Sequence, residues 1–261
     1  MPRGTSVVDA ANIERRLWSP MVLNPIIWLD AADIGTLRFG TGLAVSTWND
    51  KGSSRTSFDQ ATGANRPTLV ENSQNFLSGV NFTGSHWLQG TSTIWSSPPI
   101  NVFIVTKVNG GGYQGLIETA VNTGLGLGYS ATGNYACFRS NAQDFPFNLG
   151  KVGTDILTYQ TTGLDIATSS ITVSFRRNGT AAATAQFLTG VATSTTTSVG
   201  AYLNGTNDLL NGLIYEIVVL NVLNPISRNK TEGYLAWKWG LTASLAADHP
   251  YKYQIPLIDI G

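Results

Sequence analysis

Short apolar runs separated by turn residues recur along most of the chain. Strand-length segments include INVFIVTKV (100–108), DILTYQTTG (155–163), SSITVSFRRNGT (169–180) and GLIYEIVVLNVL (212–223). Glycine, asparagine, serine and threonine fill the intervals, and strands do not alternate with helices. Short strands with turn signals between them are typical of antiparallel sandwiches and barrels. The pattern therefore predicts an all-β fold.

The sharpest hairpin signal surrounds the dipeptide Asn178-Gly179. Before it, Ile171, Val173 and Phe175 alternate with polar neighbours. Asn-Gly favours the type I′ turn that joins two antiparallel strands, and alternate side chains of a strand lie on opposite faces. We therefore expect a β-hairpin with one apolar face and one solvent-exposed face.

The segment EGYLAWKWGL (232–241) departs from the strand pattern and predicts a short helix. Ser227 is suited to cap the first turn, so the helix is placed over about residues 228–239. Gly240 then occupies the left-handed position past the last turn. Because apolar side chains cover well over half of the circumference, we expect the helix to close one edge of the sandwich, buried on two sides.

Three residues of this region are assigned structural roles. Trp237 and Trp239 are predicted to lie in the core, and sugar stacking is the alternative for either ring. Glu216 lies in the apolar run GLIYEIVVL. A buried carboxylate has to be hydrogen-bonded or paired, so we expect Glu216 to bind backbone amides or a nearby arginine.

Charge and composition exclude several classes of partner. Sixteen basic and sixteen acidic residues cancel, which gives no electrostatic reason to bind nucleic acid or an acidic membrane surface. No apolar run approaches the roughly 20 residues of a membrane span, and residues 1–18 lack the apolar core of a secretory signal. We therefore expect synthesis in a cytosol. The single cysteine, Cys137, has apolar neighbours and is expected to be a buried free thiol.

The chain is expected to form one domain with an N-terminal arm. Its 261 residues fit one large β domain, and no proline-rich or charged linker divides them. Residues 1–20 have little apolar periodicity and are assigned to the arm, and residues 21–261 to the domain. We expect the arm to dock on a neighbouring subunit, with a solvated tail as the alternative. Its candidate contact residues are Ile13, Arg15, Arg16, Leu17 and Trp18.

The order of several motifs resembles that of a known superfamily. The motifs are WLDAAD (28–33), STWNDKGS (46–53), NRPTLV (65–70), FTGSHWL (82–88), GLIYEIVVLN (212–221), EGYLAWKWGL and ADHPY (247–251). This order is similar to the concanavalin A-like lectin/glucanase superfamily, and more narrowly to laminin G-like domains of bacteriophage virion proteins and bacterial surface proteins. The resemblance covers residues 26–252 and implies two antiparallel sheets in a jelly roll.

The resemblance leaves the function open, because this fold is shared by lectins, hydrolases and structural modules. We favour a non-catalytic virion structural protein: a capsid decoration or cement protein on the particle surface, made in the host cytoplasm. Its expected partners are other capsid or tail proteins and further copies of itself, as in a trimer. The alternatives are a glycan-binding adhesin of a phage tail or cell surface, and a polysaccharide hydrolase.

Catalytic patterns are weak in this sequence. The glucanase branch of the superfamily carries Glu, Asp and Glu at short spacing on one strand, as a retaining mechanism requires. Here Glu118 and Glu216 are each the lone acid of their segment. His86 and His249 do not accompany a nucleophile elbow, and His249 is expected to hold a loop by hydrogen bonds. We therefore predict a protein that is not an enzyme.

A glycan site requires exposed aromatic rings beside polar groups, because the CH faces of sugars stack on rings. The candidates are Tyr113, Tyr129, Tyr135 and Arg139, and ordinary strand packing is the alternative for each.

Calcium is an open alternative at three aspartates, because many laminin G-like domains carry it and hard cations bind loop oxygens. Asp30 and Asp33 lie in WLDAAD, and Asp50 follows in a turn. Capping of the backbone by aspartate side chains explains the same residues without a metal and is the interpretation we favour. No cofactor is required.

Overall fold

The computed structural model describes residues 6–8, 14–92, 99–119, 125–139, 143–162, 170–188, 196–202, 205, 207–222 and 224–258. Within these residues the chain forms a sandwich of two antiparallel sheets with one α-helix. The predicted all-β sandwich is confirmed. Neither this helix nor the shorter helical turns of the described residues have the length and apolar character that crossing a membrane requires.

The strands are numbered in chain order. They are β1 (Ser6–Val8), β2 (Glu14–Arg16), β3 (Ile27–Asp30), β4 (Leu37–Phe39), β5 (Val45–Asn49), β6 (Ser57–Asp59), β7 (Thr68–Gln74), β8 (Leu77–Thr83), β9 (Leu88–Thr91), β10 (Asn101–Val108), β11 (Gln114–Thr119), β12 (Leu125–Tyr129), β13 (Tyr135–Arg139), β14 (Gln143–Pro146), β15 (Asp155–Thr161), β16 (Ser170–Arg177), β17 (Thr180–Leu188), β18 (Thr196–Val199) and β19 (Asn211–Leu220). The helix α1 spans Pro225–Lys238.

Two large sheets and a small hairpin contain the described strands. The first sheet has the order β17-β16-β15-β10-β19-β8-β7, and β3 also pairs with β19. The second sheet has the order β14-β13-β12-β11-β18-β9-β6-β5-β4. Strands β1 and β2 pair only with each other among these residues. All pairings are antiparallel, as the short strands and turn signals predict.

Strand β10 shows why the central strands are apolar throughout. Val102, Ile104 and Val108 belong to the core between the two sheets. Phe103 and Val105 point to the other face, where they join a second apolar cluster with residues of α1. Because both faces of this strand are buried, its sequence shows almost no alternation between apolar and polar residues.

The predicted hairpin is confirmed in β16 and β17. Asn178 and Gly179 have φ angles of 52° and 77°, the left-handed values of a type I′ turn. Val173 and Phe175 enter the core between the sheets. Arg176 lies on the opposite, partly exposed face, as the alternation predicts.

The helix begins earlier than the sequence predicts. Asn224, not Ser227, is its cap, and the Asn224 side-chain oxygen accepts a hydrogen bond of 2.8 Å from the N–H of Ile226. Pro225 occupies the first turn, where its missing N–H costs nothing. Gly240 follows the last turn with a φ of 68°, as expected.

The helix covers a sheet face and does not close an edge, so that prediction is wrong. Leu235, Ala236 and Trp239 pack on the outer face of the first sheet. Their partners are Trp28, Phe103, Val105, Ile156, Tyr215, Val218 and Leu220 of β3, β10, β15 and β19. These strands carry apolar residues on both faces, so the middle of the sheet is the surface that needs cover.

The N-terminal arm contacts its own domain. The backbone N–H of Trp18 donates to the carbonyl of Pro256, and the N–H of Ile258 donates to the carbonyl of Arg16, at 3.1 and 2.9 Å. The Trp18 ring is 4% exposed and meets the Tyr234 ring edge-to-face with centroids 6.2 Å apart. Trp18 is therefore unavailable to a neighbouring subunit.

The structure describes the side chains of two of the other four candidate contact residues of the arm. Arg16 and Leu17 are exposed. Ile13 and the side chain of Arg15 lie outside the described residues.

Candidate functional site

Trp237 and Trp239 have different environments. Trp239 is 0% exposed, whereas Trp237 is 38% exposed and donates through its indole N–H to the carbonyls of Tyr251 and Gln254. Two residues that are two positions apart on a helix project about 200° apart, so they cannot both face the sheet. The prediction of a core position is confirmed for Trp239 and wrong for Trp237.

Glu216 lies fully buried between β19 and the helix. One carboxylate oxygen accepts from the indole N–H of Trp28 at 2.7 Å. The other accepts from the indole N–H of Trp239 at 2.7 Å and from the Lys238 ammonium at 2.8 Å. These partners replace the backbone amides or arginine that the sequence suggests, because β3 and α1 bring two indoles and a lysine to the carboxylate.

Asp30 shares the Lys238 ammonium with Glu216. Lys238 lies 2.7 Å from Asp30 Oδ1, and Lys51 lies 3.0 Å from Asp30 Oδ2 and 3.0 Å from Asp33 Oδ2. Burial alone would raise the pKa of Asp30, but the two ammonium groups outweigh it and lower that pKa. Four of the motifs behind the family resemblance therefore meet in one ionic network beneath α1.

Asp50 caps backbone donors of two segments. Its Oδ1 accepts from the N–H groups of Trp28 and Gly52 at 2.5 and 2.6 Å, and its Oδ2 accepts from the Ser54 hydroxyl at 2.6 Å. This geometry is that of a side chain holding a turn against the start of β3.

Removing calcium is expected to leave the protein unchanged. Lysine ammonium groups neutralise Asp30 and Asp33, and both Asp50 oxygens accept hydrogen bonds. The described residues contain no cluster of three metal-ligating side chains. We predict the same melting temperature in excess chelator and in millimolar calcium. Calcium that bound only the native state would raise the melting temperature with concentration, which would support the metal alternative.

The four candidate glycan-binding residues do not form one site. Tyr129 and Tyr135 are buried in the core between the sheets, with ring centroids 5.5 Å apart, and the Tyr135 hydroxyl donates to Asp155 at 2.8 Å. Their prediction as sugar-stacking rings is therefore wrong. Tyr113 is 43% exposed, and the side chain of Arg139 lies outside the described residues.

A second buried carboxylate, Glu232 of α1, contacts the first sheet beside the hairpin. Its Oε1 accepts from the Thr158 hydroxyl at 2.8 Å and from Arg176 Nε at 3.2 Å. Its Oε2 lies 3.2 Å from His249 Nε2, while His249 Nδ1 accepts from the N–H of Tyr251 at 3.2 Å. The predicted loop-holding role of His249 is confirmed.

A cavity of about 110 Å³ opens next to this cluster. It lies between the outer face of β15, β16 and β17 and the first turn of α1. Its lining residues are Gln160, Ser174, Phe175, Arg176, Ala181, Ala182, Thr184 and Arg228. Guanidinium, amide and hydroxyl groups therefore surround a concave surface that also contains alanine methyl groups.

The two arginines of the cavity differ in their partners. Arg176 pairs with Glu232 and donates to the Gly179 carbonyl. Arg228 contacts the Asn229 side-chain oxygen through two nitrogens at 3.3 Å, and it pairs with no carboxylate of the described residues. Burial and the charge of Arg176 lower the pKa of Arg228, and Glu232 offsets part of this effect.

The sequence indicates the polar face of this cavity only when adjacent strands are compared. The pattern of each strand alone does not show it. Gln160, Ser174 and Thr184 are polar residues at outward positions of three adjacent strands, and Ser174 pairs directly with both neighbours. The position of Arg228 depends on where α1 lies on the sheet, which no local pattern specifies.

No family model matches the sequence, and no curated protein matches it. Among solved structures, Trypanosoma rangeli sialidase is 12% identical with a TM-score of 0.55, over 89% of this chain and 35% of the sialidase chain. The same sialidase bound to 2-keto-3-deoxy-D-glycero-D-galacto-2,3-difluoro-nononic acid gives 14% identity and a TM-score of 0.56, over 91% and 37%. A CBM40 of Ruminococcus gnavus IT-sialidase has a TM-score of 0.40, which does not establish a shared fold.

The chain spans about a third of the length of the sialidase structures that it resembles. Identities this low show the fold alone, a β-sandwich consistent with the concanavalin A-like expectation. The narrower likeness to laminin G-like domains of virion proteins remains an expectation from the sequence.

Proposed function

We propose that this chain is a non-catalytic carbohydrate-binding module that holds its ligand in the cavity beside α1. The observation that carries the proposal is the lining of that cavity. Gln160, Ser174 and Thr184 offer amide and hydroxyl groups, and Arg176 and Arg228 offer guanidinium donors. A sugar presents hydroxyl groups that both donate and accept hydrogen bonds, so this combination suits it.

The size and shape of the cavity fit one end of a glycan. Its volume of about 110 Å³ is below the roughly 300 Å³ at which drug-sized ligand pockets begin. A ligand would therefore place a single sugar unit or one substituent in the cavity and extend across the surface. Ala181 and Ala182 present small apolar groups at the rim, against which the CH face of a sugar packs.

The carboxylates near this region support a role in binding without catalysis. The cavity lining contains no carboxylate among the described residues. Glu232 lies behind it with both oxygens engaged by Thr158, Arg176 and His249. Glycoside hydrolysis by the usual route needs two carboxyl groups that flank the scissile bond, and this cavity offers no such pair.

The structural likeness is compatible with a carbohydrate ligand. One of the Trypanosoma rangeli sialidase structures that shares the fold is a complex with sialic acid, at 12% identity and a TM-score of 0.54. Because this chain spans about a third of that protein, the activity of the sialidase is not transferred to it. The narrower expectation, a capsid decoration protein on a virion, rests on the motif resemblance and remains a prediction.

Blocking the cavity is expected to abolish carbohydrate binding. Ala181 is exposed and lies opposite Arg176 in the hairpin register, so Ala181→Trp fills the cavity without removing a polar group. We expect the wild type to bind a subset of glycans on an array and Ala181→Trp to bind them at least about 10-fold more weakly, which corresponds to about 1.4 kcal/mol.

The matched control is Ala61→Trp, which adds the same ring at an exposed position after β6 in the second sheet. This variant should bind as the wild type does. Equal binding by Ala181→Trp and the wild type would place the glycan elsewhere, and the absence of binding to every glycan by the wild type would refute the proposed function.

A further inference from the structure

We propose that the cavity selects sugars that carry an anionic group, carboxylate or sulfate, and that Arg228 is the residue that recognises this group. This inference rests on the proposed function and names the chemical class of its ligand. The observation behind it is the unequal pairing of the two arginines that line the cavity.

The charges around the cavity do not balance. Arg176 and Arg228 contribute two positive charges, and Glu232 is the carboxylate that pairs with Arg176. Across the described residues, Arg228 has no such counter-ion, and its contact is with the neutral side chain of Asn229. One positive charge is therefore left in a partly buried concave site, where charge interactions are stronger than on an open surface.

The position of Arg228 on the helix also supports an anionic ligand. It lies at the start of α1, and the first turn contains no acidic residue. A cation near a helix N-terminus is unfavourable, because the unpaired N–H groups there already carry partial positive charge. A local cost of this kind is expected at functional sites, where a ligand supplies the compensating charge.

The geometry of the Arg228 guanidinium also suits a carboxylate or sulfate group. A guanidinium presents parallel N–H donors that match two oxygens of a carboxylate or sulfate, and such charge-assisted pairs are stronger than neutral hydrogen bonds. Nη1 of Arg228 forms none of the contacts with Asn229. Gln160 and Ser174 line the same cavity. The Ser174 hydroxyl donates to the Gln160 carbonyl at 3.4 Å, so its oxygen can accept from a neighbouring sugar hydroxyl.

Binding of matched sugars tests the inference. Galactose, galacturonic acid and galactose 6-sulfate differ only in the substituent on C5, which is a hydroxymethyl, a carboxylate or a sulfated hydroxymethyl group. We expect the full chain to bind galacturonic acid or galactose 6-sulfate about 10- to 100-fold more tightly than galactose, as a charge-assisted hydrogen bond implies. The two anionic sugars separate carboxylate from sulfate as the preferred group.

Three variants assign the preference to Arg228. Arg228→Gln should bind all three sugars equally, and Arg228→Lys should keep part of the preference, because it keeps the charge but loses the planar donor pair. Arg38→Gln removes an exposed arginine from β4 in the second sheet and should retain the full preference. Unfolding curves check that each variant is folded.

The outcomes separate this inference from the proposed function. Equal binding of charged and neutral sugars by the wild type, with loss of binding in Ala181→Trp, would overturn the anionic preference. The proposed carbohydrate-binding function would still stand. A preference that survives in Arg228→Gln would overturn the role of Arg228. If none of the sugars or array glycans binds, both proposals fail.

Discussion

Replacing Trp239 with alanine is expected to lower the free energy of unfolding by about 3 to 5 kcal/mol, the usual cost of emptying a large aromatic site in a core. The ring is fully buried in the cluster between α1 and the first sheet, with its centroid 5.2 Å from that of Tyr215. The change also removes an indole hydrogen bond to Glu216. Chemical denaturation, followed by circular dichroism, measures the loss.

Trp237→Ala is the matched control, because it removes the same type of side chain two positions away, in the last turn of α1. Trp237 is 38% exposed and donates to two backbone carbonyls, so its removal is expected to cost about 1 kcal/mol, a typical value for a single substitution. Equal losses in the two variants would contradict the orientation of α1 on the sheet.

Lys238→Met is expected to cost about 3 to 5 kcal/mol, because breaking a buried ion pair from one side leaves uncompensated charge. The Lys238 ammonium lies 2.7 Å from Asp30 and 2.8 Å from Glu216, and both carboxylates are buried. Methionine keeps much of the apolar length of the side chain, so the loss reports mainly on charge. Lys107→Met, at an exposed position of β10, is the control and should be nearly neutral.

Acid should partly restore the Lys238→Met variant. Burial already raises the pKa of Glu216, and Lys238 offsets part of that rise. Without Lys238 the folded-state pKa rises further, so the folded protein binds a proton more tightly than the unfolded chain does. The difference in unfolding free energy between the wild type and Lys238→Met should then shrink as the pH falls through that raised pKa. A deficit that is independent of pH would show that packing, not charge, causes it.

A second substitution distinguishes the contribution of Glu216 from that of Asp30. In Glu216→Gln/Lys238→Met the buried charge of Glu216 is absent, so the double variant should be more stable than Lys238→Met alone. Residues in one network are expected to show such non-additive effects. Additive losses would contradict the shared ion pair.

Much of the fold was predictable, because local patterns determine it. Asn178-Gly179 specifies its turn through φ angles that few other residues accept, and Gly240 marks the helix end for the same reason. The placement of α1 was not predictable in the same way. An apolar run such as β10 indicates burial on both faces but does not say whether a sheet or a helix provides the second cover.

The candidate site was less accessible to sequence reasoning. Tyr129 follows Leu127 at a spacing of two, which places both on one strand face, and Leu127 is a core residue. That alternation was the available signal that Tyr129 is buried. The pairing of Arg176 with Glu232 joins residues 56 positions apart, so only the tertiary structure leaves Arg228 as the unpaired arginine of the cavity lining.

Mapping of a bound glycan by backbone amide NMR tests the central claim most directly. The isotope-labelled protein is titrated with the glycan that binds most strongly on the array. We predict that the largest shift changes fall on residues that line the cavity, namely Ser174, Arg176, Ala181, Thr184 and Arg228. Changes confined to the second sheet or to the turn that contains Tyr113, with the cavity residues unmoved, would contradict the account.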